Sequence, residues 1–310
     1  MKKIAAALVE RDNKLLAAAD VIDLPLVVIA GPTASGKTEL AIRIAKKFNG
    51  EVISADSRAI YRGLDIGTAK PTSEEQQGIP HWGIDIVDPG ERFTAANFKV
   101  YAQRKISEIR SRGHLPIMAG GTGLYIDSVL YDFKFTAYSN NLDERRKLEN
   151  KSLEQLIYHC EKNNIKLPKN IKNKRHIVSA ILRKGEEPLK NDKIISNTIL
   201  VGIATDRDIL RSRIEERAKN IVSNTTINEA MRAAEKWGWY NEAMTGNVYP
   251  LIKQYLDGTI NEIELERKLC VLDWRLAKRQ LTWLRRNKDI KWFSIDEAWT
   301  YIVNNLDKSS

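Results

Sequence analysis

One octapeptide constrains this chain more than any other feature. Gly31-Pro32-Thr33-Ala34-Ser35-Gly36-Lys37-Thr38 fits the pattern G-x-x-x-x-G-K-[ST]. Residues 25–30 precede it as a short apolar run rich in β-branched side chains, which reads as a buried strand. Glu39–Phe48 follows with helical spacing, Leu40, Ile42, Ile44 and Ala45 being apolar. A glycine-rich turn between strand and helix can wrap an anion with its backbone N–H groups pointing inward, and the helix N-terminus adds a favourable dipole. Gly31, Thr33, Ala34, Ser35, Gly36, Lys37 and Thr38 are therefore the candidate phosphate-binding residues. Lys37 supplies a point charge, and the Thr38 hydroxyl is the candidate ligand for Mg²⁺. The motif implies a phosphorylated ligand and leaves open what is done with it.

Strand and helix signals keep alternating after the loop. Asn49-Gly50 ends the first helix and Val52–Ser54 begins a second strand. Thr94–Arg112 reads as a helix with Thr94 as N-cap and Gly113 beyond its end. Leu115–Ala119 reads as a third strand, and Gly120-Gly121-Thr122-Gly123 leads into another helix. Such alternation predicts an α/β fold, a parallel sheet with helices on its faces. From 133 to 196 the chain turns polar, Lys-rich and helical in period, with a break around Pro168, and reads as a helical insertion. Thr198–Ala204 restores strand character, a long basic helix is expected near Asn261–Arg286, and Ile290–Phe293 reads as a last short strand. The expected organisation is an N-terminal extension over 1–22, a core over 23–132, the insertion over 133–196, and a return to the core over 197–310.

Fifty basic against forty acidic residues give a net charge of +10, unevenly placed. Residues 133–196 hold 15 Lys/Arg and 8 Asp/Glu, and residues 270–291 hold 7 against 2. Two basic segments outside the phosphate-binding core suit a polyanion, although charge alone equally fits solvated helix faces. No apolar run approaches the roughly 20 residues that span a membrane. The apolar stretch before Glu10 is too short for a signal peptide, so a cytoplasmic protein is expected. Cys160 and Cys270 lie far apart and read as packed, reduced thiols.

Four further motifs narrow the reading. The stretch Asp56-Ser57-Arg58-Ala59-Ile60-Tyr61-Arg62-Gly63-Leu64-Asp65-Ile66-Gly67-Thr68-Ala69-Lys70-Pro71 resembles the signature that follows the P-loop in tRNA dimethylallyltransferases. Pro80-His81, Asp85 and Asp88-Pro89 match the spacing of that family's next block. Gly120-Gly121-Thr122-Gly123-Leu124-Tyr125 resembles its GGTxLY element, and Ala277-Lys278-Arg279-Gln280-Leu281-Thr282-Trp283 its AKRQxTW run. The resemblance extends from about residue 25 to 293 and is looser after the first 130 residues.

The resemblance implies a P-loop NTPase-like core whose P-loop holds the diphosphate of dimethylallyl diphosphate, with Mg²⁺. It implies that Asp56 is the general base for the exocyclic amine of an adenosine, that Thr122 lies near the reacting base, and that Arg213 and Arg217 stabilise the leaving diphosphate. The two arginines stand at i and i+4 and so share a helix face. The implied partner is the tRNA anticodon stem-loop, whose adenosine just 3′ of the anticodon leaves its stack to react. Arg58, Lys174, Arg175, Lys278, Arg279 and Gln280 are the corresponding RNA-facing candidates, and the protein is expected to act as a monomer. Position alone also allows Asp56 to ligate Mg²⁺ and Thr122 to cap a helix. His81 receives no chemistry, and Trp274, Trp283 and Tyr255 are expected to pack rather than stack on bases.

The chain departs from the family pattern at several places. Ala59 stands where many members carry Gln, and Ser179 where an Arg is usual. The GYKE element survives only as Gly246-Asn247-Val248-Tyr249, and Asp273-Trp274-Arg275-Leu276 replaces TRxY. These changes bear on substrate choice more than on chemistry. Two alternatives to a tRNA prenyltransferase stand beside it: a small-molecule kinase or other P-loop enzyme, which the phosphate loop and the aspartate after the second strand also fit, and an RNA-binding relative that lost catalysis through these departures.

Overall fold

The computed structural model describes residues 24–135, 142–187 and 189–308. The expected extension over 1–22 lies outside the described residues. The chain runs β1 (Leu26–Ala30), α1 (Lys37–Phe48), β2 (Gly50–Ser54), α2 (Ser73–Gln76), β3 (His81–Trp82), α3 (Ala95–Ser111), β4 (Leu115–Gly120) and α4 (Gly123–Leu130). It continues through α5 (Leu142–Glu149), α6 (Leu153–Lys162), α7 (Lys174–Leu182), β5 (Thr198–Ile203), α8 (Arg207–Ile221) and α9 (Asn224–Trp237). A 3₁₀ turn (Ala243–Thr245), α10 (Val248–Leu256), α11 (Glu262–Leu284), β6 (Lys291–Phe293) and α12 (Ile295–Leu306) complete it.

The six strands form one sheet in the order β3-β2-β4-β1-β5-β6, with every pairing parallel. All five β1 residues are fully buried, as expected of a central strand covered on both faces. On one side Leu40, Ala41 and Ile44 of α1 and Ala298, Ile302 and Val303 of α12 join Val27, Ile29 and Ile117 in a single core. β1 lies between β4 and β5, where the chain's strand order reverses. Open α/β sheets bind ligands beyond the carboxyl ends of their strands at such a switch point. The loops after β1, β2 and β4 all leave from that edge.

Local signals explain most boundaries. Thr94 caps α3 by accepting the Asn97 N–H, and Asn261 caps α11 by accepting the Glu264 N–H. α1 starts two residues earlier than its apolar spacing suggests, because Gly36 takes a left-handed φ of 86° and turns the chain directly into the helix. A Cβ there would also stand 2.6 Å from Ile295 Cδ1.

Tyr131–Lys193 forms a second compact unit; the polar composition puts the insertion at 133–196. Its helices α5, α6 and α7 surround Leu148, Leu156, Cys160, Ile177, Val178 and Ile181. The break around Pro168 falls between α6 and α7. Cys160 and Cys270 are both free thiols, and burial raises the pKa of each. No helix among the described residues is long and apolar enough to cross a membrane.

Candidate active site

The P-loop, the segment after β2 and the carboxyl end of β4 converge on a pocket of about 210 Å³, beside a cleft of about 1310 Å³ that shares residues with it; Thr122 lines neither. Lys37, Thr38, Asp56, His81, Arg217 and Gln280 all line the smaller pocket. Thr38 and Arg217 also line the cleft, where Arg213 joins them.

Lys37 is the most perturbed cation here. Burial pulls its ammonium down to about 8; the Asp56 carboxylate opposes that shift and Arg217 adds to it. Its Nζ donates to the Pro32 carbonyl at 2.8 Å. Among the described residues the buried Ser35 hydroxyl and Arg217 Nε have no hydrogen-bond partner. Buried donors are nearly always satisfied, and Arg217, which lines both the pocket and the cleft, suits a ligand with acceptor oxygens. Arg217 reaches into the loop from α8, its Nη1 donating to Thr33 Oγ1 at 2.6 Å and its Nη2 to the Thr68 carbonyl at 3.4 Å. Arg213, one turn earlier and more exposed, reaches the Ala34 carbonyl at 3.5 Å.

Asp56 follows β2. Its Oδ1 accepts the Arg58 N–H at 2.8 Å, while Oδ2 has no protein partner among the described residues. Thr122 does not spend its side chain capping α4. Its Oγ1 accepts the Ser57 N–H at 3.0 Å, and its own N–H donates to the Ala55 carbonyl at 3.1 Å. The turn after β4 is thereby stitched to the segment that carries Asp56. Arg58 turns away from its neighbour's carboxylate and donates from Nη1 to the Glu242 carbonyl at 2.8 Å.

Among the RNA-facing candidates, Lys278 and Arg279 are exposed on α11, whereas Gln280 is half-buried in the pocket. Gln280 Oε1 accepts the Thr33 N–H at 2.8 Å. That amide of the phosphate loop is thus engaged by a side chain 247 residues away, a connection no local pattern could reveal. Lys174 and Arg175 open α7 within the second unit. Trp274 and Tyr255 pack against apolar clusters, as expected, and the partly exposed Trp283 donates its indole N–H to Asp127 Oδ2 at 2.7 Å.

His81 emerges as a pocket residue that sequence reasoning passed over. Its Nδ1 lies 2.8 Å from the Ile79 carbonyl, which fixes the proton on that nitrogen, and its Nε2 is buried without a partner. Burial lowers its pKa, outweighing the backbone hydrogen bond. The neutral ring lines the pocket with Nε2 unprotonated, among the described residues without a partner. Two of the departures from the family pattern also meet: Asn247 Nδ2 donates to Oδ1 of the buried Asp273 at 2.7 Å, so both are satisfied.

Among the described residues no group of three or more His, Cys, Asp or Glu side chains could hold a metal ion. Mg²⁺ at a diphosphate needs fewer protein ligands, because substrate oxygens and waters complete its octahedron. The Thr38 hydroxyl and the Asp56 carboxylate in one pocket fit that demand.

A P-loop at the switch point of a parallel sheet, with an arginine and a carboxylate beside its lysine, is the architecture of an α/β enzyme with a P-loop-like core. Comparison with known proteins makes this specific. The IPP transferase family profile matches residues 59–287, and the isopentenyl transferase profile matches residues 24–88. The tRNA dimethylallyltransferase of Staphylococcus epidermidis is 38% identical over 296 residues, covering 87% of this chain and 86% of the relative. That of Bacillus subtilis is 36% identical over 307 residues, covering 91% and 98%. The crystal structure of the full-length tRNA isopentenylpyrophosphate transferase of Bacillus halodurans aligns with a TM-score of 0.70 at 35% identity, covering 92% and 97%. A eukaryotic dimethylallyltransferase acting on tRNA shares the fold, with a TM-score of 0.71 at 21% identity over 88% of this chain and 74% of its own. The chain belongs to the IPP transferase family and is a prenyltransferase.

Proposed function

We propose that this enzyme transfers the dimethylallyl group of dimethylallyl diphosphate to the exocyclic N6 amine of the adenosine 3′ of a tRNA anticodon. The N6–C1 bond forms as the allylic C1–O bond breaks, and the bonding electron pair leaves with diphosphate. Asp56 takes the amine proton. An aryl amine is a weak nucleophile, and a carboxylate that orients it and accepts its proton lowers the barrier.

The observation that carries this reading is the grouping of Lys37, Asp56 and Arg217 in one pocket, where the buried Arg217 Nε has no hydrogen-bond partner among the described residues. Negative charge grows on the diphosphate as the bond breaks, and prearranged donors act most strongly where charge develops. Lys37 and Arg217 supply those donors, with Arg213 lining the cleft. Thr38 would hold Mg²⁺ against the diphosphate oxygens; when bound, the ion adds positive charge to the leaving group. Thr122 keeps the Asp56 segment in place through Ser57. Lys278 and Arg279 on α11, together with Arg58, Lys174 and Arg175, would meet RNA phosphates. Gln280 joins that basic helix directly to the phosphate loop.

The test is transfer of label from dimethylallyl diphosphate to unmodified tRNA with Mg²⁺ present, followed by nuclease digestion and mass spectrometry. N6-prenylated adenosine at the expected position supports the reading. Tight tRNA binding without product would instead indicate an RNA-binding relative without catalysis, and ATP turnover without prenyl donor a kinase.

A further inference from the structure

Glu229 on α9 is a buried carboxylate, 5% exposed, that the proposed reaction does not use. Its Oε2 accepts the backbone N–H of Asp65 at 2.7 Å and of Ile66 at 2.8 Å; its Oε1 accepts that of Gly67 at 3.0 Å and the Tyr249 hydroxyl at 2.8 Å. Three consecutive amides converging on one anion form a backbone nest, here filled by the protein's own side chain. Gly67 is required at its centre, because a Cβ there would stand 2.7 Å from both Tyr249 and Val248 side-chain atoms.

The loop held in this way forms a wall of the diphosphate cleft, through Asp65, Ile66 and Ala69. Its next residue, Thr68, is itself locked, the hydroxyl donating to the Leu64 carbonyl at 2.5 Å. The Thr68 carbonyl then receives Arg217 Nη2, while Arg217 Nη1 grips Thr33 of the phosphate loop. Lys70, its side chain 4% exposed, ties the far end of the loop by donating to Asp65 Oδ1 at 2.6 Å and Asp85 Oδ1 at 2.5 Å.

We propose that Glu229 is a positioning residue for transfer: by clamping residues 65–67 it sets the Thr68 carbonyl that aims Arg217 at the leaving diphosphate. The proposal rests on the reading in which Arg217 stabilises that charge. Loss of the clamp moves Arg217 rather than removing it, and a misplacement near 1 Å costs about 10²-fold in rate.

The experiment is a double-mutant cycle on kcat, with Glu229→Gln, Arg217→Ala and both, each checked by thermal melting. The amide keeps the shape of the carboxylate but turns a donor toward the backbone donors. Glu229→Gln alone is expected to lower kcat roughly 10- to 100-fold while KM for tRNA stays near wild type. In the Arg217→Ala background the same change should cost almost nothing further, because residues acting through one another are not additive. Losses that multiply would overturn the role of Glu229 alone. An Arg217→Ala enzyme with wild-type kcat would overturn the reading of Arg217 and this proposal with it. If Glu229→Gln does not fold, Tyr249→Phe removes one of the four hydrogen bonds and keeps the ring. It should lower kcat about 3-fold in wild type, the worth of one modest hydrogen bond, and not at all beside Arg217→Ala; equal losses in both backgrounds would overturn the proposal.

Discussion

Replacing Arg217 with alanine tests the electrostatics of the pocket in two independent readouts. The guanidinium donates to Thr33 Oγ1 at 2.6 Å and keeps a buried Nε without a partner among the described residues, so its loss removes a grip on the phosphate loop and a directed donor from the pocket proposed to hold the diphosphate. Hydrogen bonds to charged groups contribute about 1.5–3 kcal/mol each, and removing one preorganised donor to developing charge costs about 10²–10³ in kcat. A fall in kcat of about 10²-fold or more is therefore expected in single-turnover transfer assays. The second readout concerns Lys37, held down at about 8 by burial first and by Arg217 in a lesser part. In the free enzyme, donor affinity should weaken as pH rises through about 8, where Lys37 loses the charge that meets the diphosphate. Removing Arg217 takes away a repelling cation and admits water, and both changes favour the ammonium. The alkaline limb of kcat/KM for the donor should move to higher pH in Arg217→Ala even as the rate falls. An unchanged kcat, or a limb that moves to lower pH, would refute this account of the pocket.

Three further outcomes follow from the same geometry. Gln280→Leu removes the acceptor of the Thr33 amide at a cost of about 1–2 kcal/mol, so KM for the donor should rise several-fold in steady-state assays while tRNA affinity changes little. Lys278→Ala and Arg279→Ala should each weaken tRNA binding at low salt and reduce the slope of log K against log salt by about 1, measured by filter binding. Glu51 reports on acid stability. Burial pushes its carboxyl up, but hydrogen bonds from Arg112, Trp82 and His114 outweigh that and hold it below the ordinary value. Its contribution is present above a pH of 4.5, the ordinary value, and is lost as pH falls through the folded value. Glu51→Gln should therefore lower the melting temperature at neutral pH and flatten its decline toward pH 3, followed by circular dichroism.

The parts of this molecule that local pattern could reveal are those built from adjacent residues. The phosphate loop, β1, β4 and α3 with its Thr94 cap each depend on contiguous side chains, and their spacing was enough to find them. β3 is only two residues long and carries no periodic signal, so it went unseen, and with it the placement of His81 in the pocket. Arg217 could be tied to the phosphate loop only by resemblance, because its partner Thr33 is 184 residues away. The contact of Gln280 with that loop, in place of the RNA-facing role the resemblance implies, and the whole role of Glu229 were beyond reach for the same reason. Each is an ordinary polar residue on an amphipathic helix until the fold presents it to backbone amides 247 and 162–164 positions away. The departures at Asn247 and Asp273, read singly, suggest lost function; side by side they form a hydrogen bond.

The central claim is that Asp56 serves as the base, and its most direct test is the single-turnover rate of prenyl transfer by Asp56→Asn with saturating tRNA and dimethylallyl diphosphate. The asparagine keeps an oxygen for the Arg58 N–H and loses the capacity to take a proton, together with the negative charge that faces Lys37. The account predicts a rate at least about 10²-fold below wild type, with both substrates bound at near wild-type affinity. Transfer at the wild-type rate would contradict it and would place the proton on another group in the pocket.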